Sequence, residues 1–196
     1  MARIKSALEL ALERTQDVQG DKAKLDEFEG KQRGRRVYAQ LAENPELDVR
    51  KALQEASATN AGSAEEGFVD ALLANIGLPN ETGDIERLKV LKRGFEAITK
   101  DRKVAQIFTQ LEQFYQQYLS NKQQLIEAIR KQFEPRLRRK EEELARQTGQ
   151  RVRLDPAADP EFATVLKQNL GKLQSQFNEV LDQVRGELAA MRKTDR

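Results

Sequence analysis

The C-terminal half of the sequence repeats apolar residues every three or four positions in two long runs, which is the spacing of an amphipathic helix. The first run is interrupted only by Lys122. Its members are Val104, Phe108, Leu111, Tyr115, Tyr118, Leu125, Ile129, Phe133 and Leu137. The members of the second run are Phe162, Leu166, Leu170, Leu173, Phe177, Val180, Val184, Leu188 and Met191. We predict one long helix for each run. Because the connection between them, residues 148–159, is short, the two stripes are expected to pack antiparallel in a coiled-coil-like hairpin.

Capping and helix-breaking residues indicate where these helices begin and end. Asp84 is a candidate N-cap for the segment that leads into the first run. Pro135 has no capping residue immediately before it and the apolar spacing resumes two residues later, so we expect a kink there rather than an end. Gly149 is the predicted stop of the first long helix. Asp159 followed by Pro160 predicts the start of the final helix.

The N-terminal half predicts shorter helices. One amphipathic helix begins near Ile4 and is expected to end at Gly20. Residues 21–42 carry a weaker pattern that fits a helix, a helix with a loop or a mobile segment. Asn44, followed by Pro45, predicts the cap of a short helix.

A small, polar segment at residues 57–62 predicts a linker. After it, Ser63 and Glu66 fit the capping box of a helix that is expected to stop at Gly77. The sequence therefore divides into a region of short helices, residues 1–83, and a long helical hairpin, residues 84–196.

Composition supports long, exposed helices over one thick core. Charged residues make up 34% of the chain and hydrophobic residues only 38%, less than the usual apolar share. The sequence contains neither Cys nor His, which removes thiolate chemistry and the commonest general base and metal ligand. We predict an all-α protein that is not an enzyme and uses no cofactor or metal.

The first residues do not resemble a targeting segment. Glu9, Glu13 and Asp17 stand where a signal peptide would need an uncharged apolar run. No apolar run approaches the roughly 20 residues that a membrane span requires. We predict a cytoplasmic protein with no membrane contact.

Two basic segments are candidates for an interaction surface. In the first, Arg35 and Arg36 follow a glycine-broken stretch and lack an acid one helical turn away. The segment is not a P-loop, because no Gly-Lys-Ser or Gly-Lys-Thr follows. Whether it is helix or loop stays open from the residues alone.

The second basic segment lies near the end of the first long helix. Arg138 and Arg139 have acids at i,i+4 spacing, whereas Arg136 and Lys140 do not. Two further arginines in the connection are expected to join them if the chain folds back. The candidate interaction patch is therefore Arg35, Arg36, Arg136, Lys140, Arg151 and Arg153.

Aromatic residues on the first long helix have two interpretations. Exposed rings would suit stacking on nucleic-acid bases. Most of these rings lie on the apolar stripe, however, so we predict core packing against Phe162 and Phe177. The residues concerned are Phe108, Phe114, Tyr115, Tyr118 and Phe133.

The opening residues Ile4-Lys-Ser-Ala-Leu-Glu9 and Ala11-Leu-Glu-Arg-Thr15 resemble the start of a small, uncharacterised bacterial family of helical proteins. The resemblance brings no known activity, so it implies no functional residue.

These observations favour a non-enzymatic helical interaction or scaffold protein that associates with itself or with a protein partner. An amphipathic arm longer than its partner leaves an apolar stripe that needs cover. The alternative is weak nucleic-acid or ribosome association through the basic long helix, since residues 85–160 hold seventeen bases and eleven acids. An enzyme built on carboxylates and Tyr ranks last, and the sequence indicates no small-molecule substrate.

Overall fold

The computed structural model describes residues 7–57, 61–151 and 153–194, and within these ranges the chain is all-α, without a strand. The α-helices are α1 (Ala7–Glu43), α2 (Val49–Ala56), α3 (Ala61–Ala74), α4 (Arg87–Ile98), α5 (Lys103–Thr148) and α6 (Pro160–Thr194). Short 3₁₀ helices occupy Thr82–Glu86 and Pro156–Ala158. The predicted fold class is confirmed.

Contacts divide the described chain into two compact units. The first contains α1, α2 and α3, α4 from Val90 onward with the residues to Val104, and the end of α6 from Leu188. The second contains residues Gly77–Lys89 and Ala105–Glu187, and therefore most of α5 and α6.

The first unit is built on a close approach of α1 and α3. A Cβ atom added at Gly34 would lie 2.7 Å from the backbone nitrogen of Phe68, and one added at Gly67 would meet the backbone of Lys31. Because glycine has no Cβ, the two helix backbones can touch at both positions. The predicted apolar face of α3 is buried beside this contact, with Phe68 and Leu72 fully inaccessible.

The prediction that the first helix ends at Gly20 is wrong, because α1 continues to Glu43. A glycine inside a helix costs only about 1 kcal/mol, and packing elsewhere along the helix offsets such a cost. The basic segment between Gly30 and Arg36 is therefore helical. Its glycines serve the contact with α3.

Three N-caps differ from those predicted. Asp84 lies inside the 3₁₀ helix Thr82–Glu86, whose N-cap is Glu81, and α4 begins only at Arg87. Asp48, rather than Asn44, caps α2, since its carboxylate accepts a hydrogen bond from the backbone nitrogen of Lys51 at 3.1 Å. Helix α3 begins at Ala61, so Ser63 lies inside the helix and not at its cap. Ser63 is buried and faces Gly30.

A break that the sequence analysis did not anticipate separates α4 from α5 at residues 99–102. The hydroxyl of Thr99 accepts a hydrogen bond from the backbone nitrogen of Asp101 at 3.2 Å. The carboxylate of Asp101 in turn accepts one from the backbone nitrogen of Lys103 at 2.9 Å. Asp101 thus provides the polar acceptor at the start of α5.

In the second unit α5 and α6 pack through aromatic rings. Phe177 lies 4.8 Å from Phe114 and 5.1 Å from Tyr118 between ring centroids, and Phe133 lies 5.5 Å from Phe162. Residues later in α5 contact residues earlier in α6, as the predicted antiparallel hairpin requires. Packing against Phe162 or Phe177 is confirmed for Phe114, Tyr118 and Phe133, and Phe108 and Tyr115 are buried.

The hairpin helices α5 and α6 meet the connection where the sequence predicts. Helix α5 passes through Pro135 and stops before Gly149, which adopts a φ of 71°. Asp159 caps α6 by accepting a hydrogen bond from the backbone nitrogen of Glu161 at 2.9 Å. The apolar stripe of α6 differs at one position: Leu181, absent from the predicted stripe, is fully buried, while Val180 is 40% exposed.

Candidate binding groove at the hairpin connection

The residues of the predicted interaction patch are distributed over both units. Arg35 and Arg36 are exposed on α1 in the first unit. The other four belong to the second unit, where Arg136 and Lys140 lie one turn apart on α5, and Arg151 and Arg153 are exposed in the connection.

Arg136 and Lys140 are paired with acids from the start of α6. The ammonium of Lys140 lies 2.7 Å from the carboxylate of Asp159, and the guanidinium of Arg136 pairs with Glu161. The prediction that both bases lack acidic partners is therefore wrong. It considered only acids on the same helix, whereas the fold supplies them from the antiparallel neighbour.

These pairs shift the pKa values of Asp159 and Arg136. The hydrogen bond from Lys140, followed by those from the backbone nitrogens of Glu161 and Phe162, holds the pKa of Asp159 below its ordinary value. The hydrogen bond to Glu161 raises the pKa of Arg136. The guanidinium of Arg136 also lies 6.0 Å from the centre of the Phe133 ring, within reach of a cation–π contact.

For Arg138 and Arg139 the error is the reverse, because the sequence predicted acidic partners for both. Their predicted partners were Glu134, Glu142 and Glu143, yet across the described ranges neither arginine has an acid within the 4.0 Å of an ion pair. Exposed pairs at i,i+4 spacing contribute only about 0.3–0.5 kcal/mol, too little to hold two long side chains together.

An open groove of about 510 Å³ lies between α5 and the connection to α6. We call it the basic groove. Its charged lining residues are Arg130, Lys131, Glu134, Arg138, Glu141 and Arg153. In the part of the chain that the structure describes, none of its four bases takes part in an ion pair.

Glu141 fixes the wall of the basic groove that the connection forms. Its carboxylate accepts a hydrogen bond from the backbone nitrogen of Leu154 at 2.7 Å. This bond holds the residue next to Arg153 against α5. Glu141 keeps its negative charge while it accepts this bond, so Glu134 and Glu141 together oppose the four bases.

Of the predicted patch, only Arg153 lines the basic groove, where it meets Arg138 rather than Arg136 or Lys140. Arg130 and Lys131 were missed by the sequence analysis. The signal was present: Arg130, Glu134 and Arg138 follow each other at intervals of four, which places them on one helical face. The fold of the connection decides that this face borders a groove.

Tyr115 belongs to the hairpin core. Burial raises its pKa to about 12, so its phenol stays protonated at neutral pH.

Among the residues that the structure describes, no helix combines the length and apolar character needed to cross a membrane.

Fold and groove together define an all-α protein with a long helical hairpin. Near its connection lie positive charges that form no ion pair with any residue the structure describes. The chain belongs to a family of unknown function, DUF6657, whose family model matches residues 50–190. An uncharacterised family was expected, and this is confirmed, although the match lies outside residues 4–15 that suggested it. The basic groove lies wholly within the matched residues. No curated protein and no solved structure matches the chain.

Proposed function

We propose that this chain is a non-enzymatic binding protein whose hairpin connection docks onto an anionic partner. The observation that carries the proposal is the set of four bases around the basic groove, which engage in no ion pair within the described residues. Three of the four are arginines.

The chemistry of these side chains suits an anionic ligand. A guanidinium presents a planar fork of N–H donors that matches a carboxylate or a phosphate. A cleft lined mainly by one sign of charge also concentrates ligands of the opposite sign. Arg136 and Lys140 contribute less to this field, because Glu161 and Asp159 compensate their charges.

A catalytic role has less support. The chain has no His or Cys, and Tyr115 is buried with a raised pKa. The basic groove combines arginines and a lysine with two glutamates. These side chains are suited to binding a charged ligand rather than to nucleophilic attack.

Affinity capture from an extract of the source cells tests the proposal with three baits. The baits are the wild-type chain, Arg130→Glu with Arg138→Glu, and a control with Lys167→Glu and Lys172→Glu. The control lysines are exposed on α6 and change the net charge by the same amount.

The captured material is analysed separately for protein and for nucleic acid. We expect a component that the wild type and the control retain and that the groove variant loses. Identical recovery from all three baits would contradict docking at the basic groove.

Self-association stays a prediction from the apolar stripes. Sedimentation of the full chain over a range of micromolar concentrations checks it, with an increase in mass as the expected result. A monomeric mass at every concentration would contradict it.

A further inference from the structure

Building on the proposed function, we infer that the basic groove binds the phosphate backbone of a nucleic-acid strand, without reading its bases. The inference follows from what the groove lacks, from the spacing of its charges and from their number.

The basic groove has no anchoring pocket for a protein side chain. Its apolar lining residues are Leu137, which is only 7% exposed, and the half-buried Leu154 and Pro156. Protein interfaces draw most of their binding energy from aromatic and other anchors buried in desolvated pockets. A mainly charged, hydrated groove instead resembles the polar, positively charged surfaces that contact nucleic acids.

The basic groove also has no platform for base stacking. None of the described residues that line it is aromatic, and the rings of α5 are used in the hairpin core. Proteins that hold single strands through their bases rely on exposed rings. Contacts to phosphates are therefore the interaction that remains for these side chains.

The spacing of charges favours an extended polyanion over a single phosphate. Arg130 and Arg138 are eight residues apart on α5, which corresponds to about 12 Å along the helix axis. Glu134 stands midway between them, so a single anion centred on the two arginines would meet its carboxylate. A chain of phosphates can place one group beside each arginine and leave the glutamate between them.

The number of bases sets the expected salt dependence. Four phosphate contacts predict that log K falls against log salt with a slope of about −2.8 for a single strand and about −3.6 for duplex DNA. Loss of two contacts would reduce the single-strand slope to about −1.4. An affinity no tighter than about micromolar at physiological salt is expected for such sequence-independent binding.

The experiment titrates the full-length chain with fluorescent oligonucleotides, two single strands of unrelated sequence and one duplex, from low to physiological salt. We expect both single strands to bind alike with the four-contact slope. Arg130→Gln with Arg138→Gln should weaken low-salt binding at least tenfold and halve the slope. Lys167→Gln with Lys172→Gln should change the affinity less than twofold. Binding of the duplex with its steeper slope would also support phosphate contacts and identify the duplex as their source.

Glu134→Gln provides a second variant whose expected effect misfolding cannot imitate. Removal of the carboxylate between the two arginines should tighten binding severalfold. Weaker or unchanged binding by Glu134→Gln would contradict the placement of phosphates on either side of it.

Other outcomes overturn the inference directly. A tenfold preference for one sequence would indicate base contacts, and an unchanged slope in the arginine variant would place the phosphates elsewhere. An oligoglutamate peptide that binds when the oligonucleotides do not would overturn the choice of nucleic acid. The proposed function would survive that last result if affinity capture recovered an acidic protein that the groove variant loses.

Discussion

In the first unit α1 and α3 touch backbone to backbone at Gly34 and Gly67, whereas in the second unit α5 and α6 pack through the rings around Phe177 and Phe162. The first contact depends on missing side chains and the second on large ones. Added atoms should therefore damage the first contact, and removed atoms should damage the second.

Gly34→Ala is expected to give the largest loss of stability. The new Cβ would lie 2.7 Å from the backbone nitrogen of Phe68 and 2.8 Å from the carbonyl carbon of Ala64. These are backbone atoms that can move only if α1 and α3 separate. Overpacking of this kind typically costs 1–3 kcal/mol, and we expect a loss of about 3 kcal/mol in the free energy of unfolding, measured with urea.

Gly171→Ala in α6 is the matched control. An added Cβ at Gly171 has no neighbour within 4 Å, and alanine is a better helix former than glycine by about 0.5–1 kcal/mol. The same chemical change should therefore stabilise the protein slightly. Equal destabilisation by both variants would show that the effect at Gly34 does not come from the close helix contact.

Phe177→Ala tests the second contact by removing atoms. The ring meets both Phe114 and Tyr118 but is only half-buried, so we expect a loss of about 2 kcal/mol, less than the 3–5 kcal/mol of a fully buried Phe. Gln174→Ala, one turn away and exposed, is the control and should change stability little. A neutral Phe177→Ala would rule out ring packing as the main support of the hairpin.

Asp159→Asn should have a smaller effect that depends on pH. The pKa of Asp159 is held below its ordinary value of 3.8 in the folded chain. Its contribution is therefore complete above about pH 4 and is lost as the pH falls through the folded-state pKa. Asn retains an oxygen that can cap the helix, but it lacks the negative charge that pairs with Lys140.

Melting temperatures measured between about pH 2 and 7 check this expectation, because the contribution is lost only as the pH falls below the ordinary pKa of 3.8. The wild type should exceed Asp159→Asn near neutral pH, and the difference should shrink below pH 4. A constant difference across the range would show that the carboxylate charge contributes nothing to folding.

The hairpin was more predictable than the first unit because its signals are local and repeated. The stripe from Val104 to Leu137 is buried almost as predicted, and Gly149 and Asp159 mark helix ends. In α1 the decisive property of Gly30 and Gly34 is what lies opposite them, and spacing along the chain does not reveal it. A glycine that ends a helix and one that admits a neighbouring helix look alike in the sequence.

The basic groove was only partly predictable for a related reason. Arginine and lysine clusters can be recognised, but their partners depend on packing. Glu161 follows Arg136 by 25 residues and Asp159 follows Lys140 by 19, so these acids compensate the two bases only because the hairpin turns back. Local acids beside Arg138 suggested pairing that the described side chains do not form.

The smallest expected effect on stability is that of Arg138→Gln. It is compared with Arg136→Gln, because Arg136 is a paired base two positions earlier on α5. Arg138 is exposed and forms no ion pair in the described chain, so its replacement should change the free energy of unfolding by less than about 0.5 kcal/mol. Arg136→Gln removes the partner of Glu161 and a cation from the Phe133 ring, so it should destabilise more. The difference should decrease at about 1 M salt, where the screening length falls to about 3 Å. Urea unfolding of both variants at low and high salt measures this difference in the free energy of unfolding. A loss for Arg138→Gln that is well above about 0.5 kcal/mol and as large as that for Arg136→Gln would mean that Arg138 is already paired. It would then cease to count among the charges available to a ligand of the basic groove.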